Sequence, residues 1–139
     1  MPRNVNIWIV LSGLNGFIAV AAAAVGAHIL VQHLSPEALD LFRMGAIFHL
    51  VHALALIAVG VLGRLAEPAR FKIVNLCGMG FQLGIIFFSG SIYWLALFGA
   101  GSLGPLHFVT PIGGGCLLVG WAAMSYAGWT VTDDYQRRN

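Results

Sequence analysis

The sequence predicts an all-α integral membrane protein, a four-helix transmembrane bundle with both termini on the cytoplasmic side. Composition is the first reason: 59% of the 139 residues are hydrophobic and 9% charged, against about 25% charged in soluble domains. A soluble core this apolar would leave no surface. The second reason is placement. The apolar residues gather into four runs, 7–29, 44–62, 73–98 and 106–129, and every charged side chain lies between or beyond them. Each run suffices to cross ~30 Å of hydrocarbon at ~1.5 Å per residue. The length leaves room for one domain, 1–139.

Orientation follows from the cations. With the N-terminus inside, Arg3, Arg64, Arg70, Lys72, Arg137 and Arg138 are cytoplasmic and Arg43 alone is external, a strong positive-inside bias. Trp8, Tyr126 and Trp129 then fall at the inner interface, with Tyr93 and Trp94 near the outer one. The net charge of +2, with no basic run, excludes nucleic acid as an expected partner.

The first run follows Arg3 and contains Ala21-Ala22-Ala23-Ala24, features shared with signal peptides. Its apolar stretch is longer than a signal core, so it reads as a membrane helix. The first external loop, 31–43, holds Ser35-Pro36-Glu37: a capping hydroxyl, a proline suited to the first helical position and an acid at the positive end of the dipole. Leu39 and Phe42 share one face, while Glu37, Asp40 and Arg43 recur on another. The expectation is a short amphipathic helix at the outer surface, either separate from the second span or continuous with it. The loop at 63–72 makes the second and third runs antiparallel neighbours, and the outer loop at 99–105 is glycine-rich and uncharged. Thr110-Pro111 offers a second capping pair, so the fourth helix is expected to begin there.

Within the runs, Ser12 with Gly16, and Gly80 with Gly84, follow the small-xxx-small pattern that lets helix backbones approach. Gly16, Gly80 and Gly84 are the helix-packing candidates. Cys77 and Cys116 differ in expected depth by ~14 Å, too far for a disulfide.

All five histidines, His28, His33, His49, His52 and His107, fall towards the outer end. His49 and His52 share a helix face, ~7 and ~12 Å below the outer boundary measured from Met44. Tyr93 falls near the depth of the first and Ser89 near that of the second. Ser89, Ser91, Tyr93, His107 and Thr110 are therefore candidates for a polar pocket in the outer leaflet. On the structural reading these groups hydrogen-bond one another and tie helices together, each bond adding ~0.6–2 kcal/mol in membrane proteins. On the alternative reading His28, His49 and His52 bind a transition metal or haem. No carboxylate or cysteine nearby completes a familiar ligand set, so the structural reading is preferred and no cofactor is expected.

Four segments carry a resemblance: AVGAHIL at 24–30, FHLVHALAL at 48–56, FFSGSIYWLAL at 87–97 and VTPIGGGCLLVGW at 109–121. In this order they resemble the domain-of-unknown-function 423 family, small four-span proteins of bacterial inner membranes with a similar transmembrane relative in eukaryotes. The resemblance touches all four runs. It implies a fold and a location and brings no catalytic residues.

No nucleophile–base pair, phosphate loop or redox pair is visible, so enzyme chemistry is not expected. None of Glu37, Asp40, Glu67, Asp133 or Asp134 lies inside a run, so no membrane carboxylate is available to couple protons. Asn15 and Gln82 are the mid-span polar residues, and two amides serve as readily for helix contacts as for a solute pathway. The resulting expectation is a non-catalytic accessory or interaction protein of the inner membrane, in contact with lipid and with other membrane proteins or itself. A histidine metal or haem site and a small-solute channel or transporter are the alternatives.

Overall fold

The computed structural model describes residues 6–136, which form helices and connecting turns with no strand among them. Arg3, Arg137 and Arg138 of the charge count lie outside the described residues. The helices are α1 (Ile7–His28), α2 (Pro36–Leu65), α3 (Phe71–Gly84), α4 (Gly90–Phe98) and α5 (Val109–Gln136). A π-helical turn, Ile85–Ser89, joins α3 to α4 in one continuous span. Four helical stretches are long and apolar enough to cross a membrane: Ile7–Gln32, Pro36–Leu65, Pro68–Phe98 and Gly104–Thr130.

Local chemistry explains the helix ends. The Asn6 side chain accepts from the Ile9 N–H and opens α1. Ser35 accepts from the Ala38 N–H at 3.2 Å and, with Pro36 following, opens α2. From Pro36 no further proline intervenes before Leu65, so the amphipathic helix expected in the first loop is continuous with the second span and forms the opening of α2. Its amphipathic pattern is present: Leu39 and Phe42 are buried, and Glu37, Asp40 and Arg43 are exposed. Gly99 (φ 91°) stops α4 in a conformation that disfavours any side chain, its N–H bonded to the Leu95 carbonyl at 2.9 Å. At the fourth span, Gly104–Leu106 forms a 3₁₀ turn and α5 begins at Val109. The expected capping pair Thr110-Pro111 therefore lies inside the first turn, where the Phe108 carbonyl accepts from the Ile112 N–H and the Thr110 hydroxyl donates to Ser91.

The helix α2 is central. In its most apolar window 50% of the residues are buried within the protein, against 22% in the first and fourth spans. Leu39, Phe42, Gly45, His49, His52, Leu56, Val59 and Gly60 repeat at three- and four-residue intervals on its inward side. Its outward side shows Ile47, Leu54 and Ile57; Phe17 and Leu118, over 70% exposed, do the same for α1 and α5. In a soluble protein so much exposed apolar surface would be a liability; around a membrane bundle it is the lipid-facing surface. α1 packs chiefly on α2, and α5 chiefly on α3 and the π turn. We call the end holding Arg64, Arg70 and Lys72 the basic end, and the other the histidine end.

Close backbone approach is concentrated on α5. A Cβ at Gly80 would meet Gly120 and the Cys116 carbonyl, and one at Gly84 would strike Leu117. One at Gly113 would collide with the backbone of Phe87 and Phe88, in the π turn. Gly16 is different: a Cβ there would meet nothing within 4 Å, and its small-residue partner Ser12 is buried by a bond to the Ala53 carbonyl at 2.8 Å. Cys77 and Cys116 are free thiols.

Candidate functional site

The inward face of α2 carries His49 and His52 with 5% and 4% exposure. With no water at this depth, each ring nitrogen must find a protein partner, and each does. His49 Nε2 lies 3.1 Å from Asn15 Oδ1 on α1, and its Nδ1 lies 3.3 Å from the Tyr93 hydroxyl on α4. The Asn15 amide N–H groups donate to the Leu11 carbonyl at 2.7 Å and to Gln82 Oε1, on α3, at 2.8 Å. His52 Nδ1 lies 2.6 Å from the Phe48 carbonyl, one turn back on α2, while its Nε2 accepts the indole N–H of Trp121, on α5, at 3.1 Å.

The partners fix the protons. Asn15 Oδ1 only accepts, because its amide nitrogen is committed to two carbonyl oxygens; His49 therefore donates from Nε2, and as a neutral imidazole it accepts the Tyr93 O–H at Nδ1. The Phe48 carbonyl only accepts and the Trp121 N–H only donates, so His52 carries its proton on Nδ1. The partners of His52 hold that ring neutral, and all four ring nitrogens of the pair are engaged. Aromatic packing reinforces the second: the Phe48 ring stacks on His52, and Phe81 sits edge-on to Trp121 with centroids 5.0 Å apart. Together the two histidines join all four spans.

The other candidates divide into two groups. Thr110 donates to Ser91 Oγ at 2.8 Å, and Ser91 donates to the Phe88 carbonyl at 2.9 Å, a relay fastening the start of α5 to the π turn. Ser89 is 1% exposed within that turn, and its Oγ has no hydrogen-bond partner. The remaining histidines do not join the network. His28 is exposed at the C-terminal end of α1, and exposed His107 turns its Nδ1 to the Gly104 carbonyl of its own loop at 3.1 Å. Among the described residues no three of His, Cys, Asp and Glu converge as a metal site would require.

Sequence reasoning paired neither Asn15 nor Gln82 with His49, and passed over Trp121 as a site residue. The available signal was depth, since an indole N–H or an amide well inside a span needs an acceptor or donor there.

The fold and this network lie largely within one recognisable region. A family model described as "Protein of unknown function (DUF423)" matches residues 22–114, from late α1 to the first turns of α5. The chain belongs to the DUF423 family. The matched region includes His49, His52, Gln82 and Tyr93 and excludes Asn15 and Trp121. A Staphylococcus epidermidis protein named "UPF0382 membrane protein" is 34% identical over 121 residues, covering 87% of this chain and 93% of that one. A Haemophilus influenzae protein of the same name is 35% identical, with 87% and 92% covered. The Escherichia coli K12 protein named "UPF0382 inner membrane protein YgdD" is 35% identical over 117 residues, with 84% of each covered. No solved structure matches the chain. This DUF423 chain is an integral membrane protein, and its relatives' names specify no reaction.

Proposed function

We propose that this DUF423 protein is a non-catalytic accessory protein of the bacterial inner membrane, and that its buried histidines hold the bundle together rather than bind a metal or haem. The carrying observation is that both ring nitrogens of His49 and of His52 are consumed by groups on the protein. A metal would have to displace Asn15, Tyr93, Phe48 or Trp121, leaving a polar group unpaired in low dielectric. What the bundle offers outward is a broad apolar surface, suited to lipid and to other membrane proteins or a second copy. The name of the YgdD relative supports the inner membrane as the location. Arg64, Arg70 and Lys72 at one end, against Arg43 at the other, support a cytoplasmic basic end and hence cytoplasmic termini.

Purification in mild detergent, followed by mass spectrometry and elemental analysis, tests this reading. The expected result is a recurrent protein partner or self-association without stoichiometric metal. Stoichiometric metal or haem absorbance overturns it in favour of a histidine cofactor site, and solute flux in liposomes overturns it in favour of a channel or transporter.

A further inference from the structure

The basic end holds an open surface cavity of about 320 Å³, with Ile7, Arg64, Phe71 and Asn75 exposed along it, that the histidine network does not touch. Three spans build it: Asn6 and Trp8 at the start of α1, Arg64 in the last turn of α2, and Phe71 and Asn75 at the start of α3. We infer that this cavity binds a phosphate-ester anion, with Arg64 supplying the charge and Asn75 a directed N–H donor.

The polar groups that line it are not equivalent. Asn6 is committed to the backbone: its amide donates to the Gly60 carbonyl at 2.7 Å and its Oδ1 caps Ile9. It is wall rather than ligand. The Trp8 indole N–H donates to Asn75 Oδ1 at 3.1 Å. That bond uses the acceptor oxygen of Asn75 and orients the amide, leaving the NH₂ to donate. Gly78 permits it, since a Cβ there would overlap the Trp8 ring at 2.5 Å. Arg64 brings a planar guanidinium matched to phosphate oxygens. Among the described residues no carboxylate lines the cavity, whereas Arg43, at the opposite end, pairs with Asp40 at 3.2 Å.

The remaining wall, Ile7, Phe71 and Val74, is apolar. A cationic donor set backed by an apolar wall, at the level where three spanning helices begin or end, suits a phosphate carrying a greasy or glycerol substituent. The same chemistry is available from an anionic lipid headgroup or from a soluble phosphate ester. The site is independent of the proposed accessory role and stands or falls apart from it.

The test is thermal unfolding and native mass spectrometry of the full chain in a neutral detergent at constant ionic strength. The probes are inorganic phosphate, phosphatidylglycerol in mixed micelles and phosphatidylcholine as the zwitterionic control. At a hundredfold excess over the dissociation constant, a binding anion should raise the melting temperature by on the order of 5–10 °C. Arg64→Gln should weaken binding about tenfold or more, Asn75→Leu should weaken it too, and Arg43→Gln should leave it unchanged. A response to phosphatidylglycerol alone identifies a lipid, and an equal response to inorganic phosphate identifies a soluble ester; both support the site. No response to either anion overturns it, as does an undiminished response in Arg64→Gln. Should Arg64→Gln fail to fold, Asn75→Leu decides by the same criterion.

Discussion

His49 and His52, one turn apart on α2, carry their protons on opposite ring nitrogens: Nε2 for His49, facing Asn15, and Nδ1 for His52, facing the Phe48 carbonyl. Each ring thereby presents an acceptor nitrogen to a donor from another span, Tyr93 or Trp121. The pair works as two neutral connectors of different polarity, one serving α1 and α4, the other α5.

Replacement of His52 separates connection from ligation. His52→Ala leaves the Trp121 N–H unpaired in a medium without water, an expected loss on the order of 1–3 kcal/mol, visible as a lower melting temperature in detergent. His52→Gln, whose amide both donates and accepts, should recover part of that loss. Equal melting temperatures for wild type and His52→Ala would remove the bond from the account.

The glycines give a second contrast. At Gly113 a methyl group runs into the backbone of the π turn, which cannot swing aside as a side chain would, so Gly113→Ala should cost about 1–3 kcal/mol or more. Gly16→Ala meets open space and should be neutral, or stabilising by about 0.5–1 kcal/mol from helix propensity. Thermal melts of the two variants check this directly, and a reversed order would refute the packing described for α5.

Topology has its own test. Reporter fusions after Asn139 and within the 31–43 loop should place the first in the cytoplasm and the second outside. An external C-terminus would invert the bundle and place the basic-end cavity in the outer leaflet.

The number and approximate extent of the spans were legible from hydropathy alone, because in a bilayer length and composition dictate the outcome. Depth along each span is legible too: Tyr93, expected near the depth of His49, lies 3.3 Å from it, whereas Ser89, expected near that of His52, has no bond to it. What depth does not give is azimuth. Asn15 faces His49, and Trp121 faces His52, only because α1 and α5 are rotated to suit, with Gly60 admitting Ile9 of α1 and Gly80, Gly113 and Gly120 admitting the close approach of α5, all through contacts distant in sequence. The π turn left no sign either: Ile85-Ile86-Phe87-Phe88-Ser89 reads as ordinary apolar helix. In the first loop the amphipathic pattern marks a helix but not its boundary, and the structure runs it directly into the second span as one helix, Pro36–Leu65.

The claim that the histidines are connectors is tested most directly by ¹⁵N NMR of histidine-labelled protein, with signals assigned by their loss in His49→Gln and His52→Gln. Two neutral rings are expected, His49 protonated at Nε2 and His52 at Nδ1, with spectra unchanged by chelator or by added zinc. A ring nitrogen with a metal-bound signature, or the same tautomer at both positions, would contradict it.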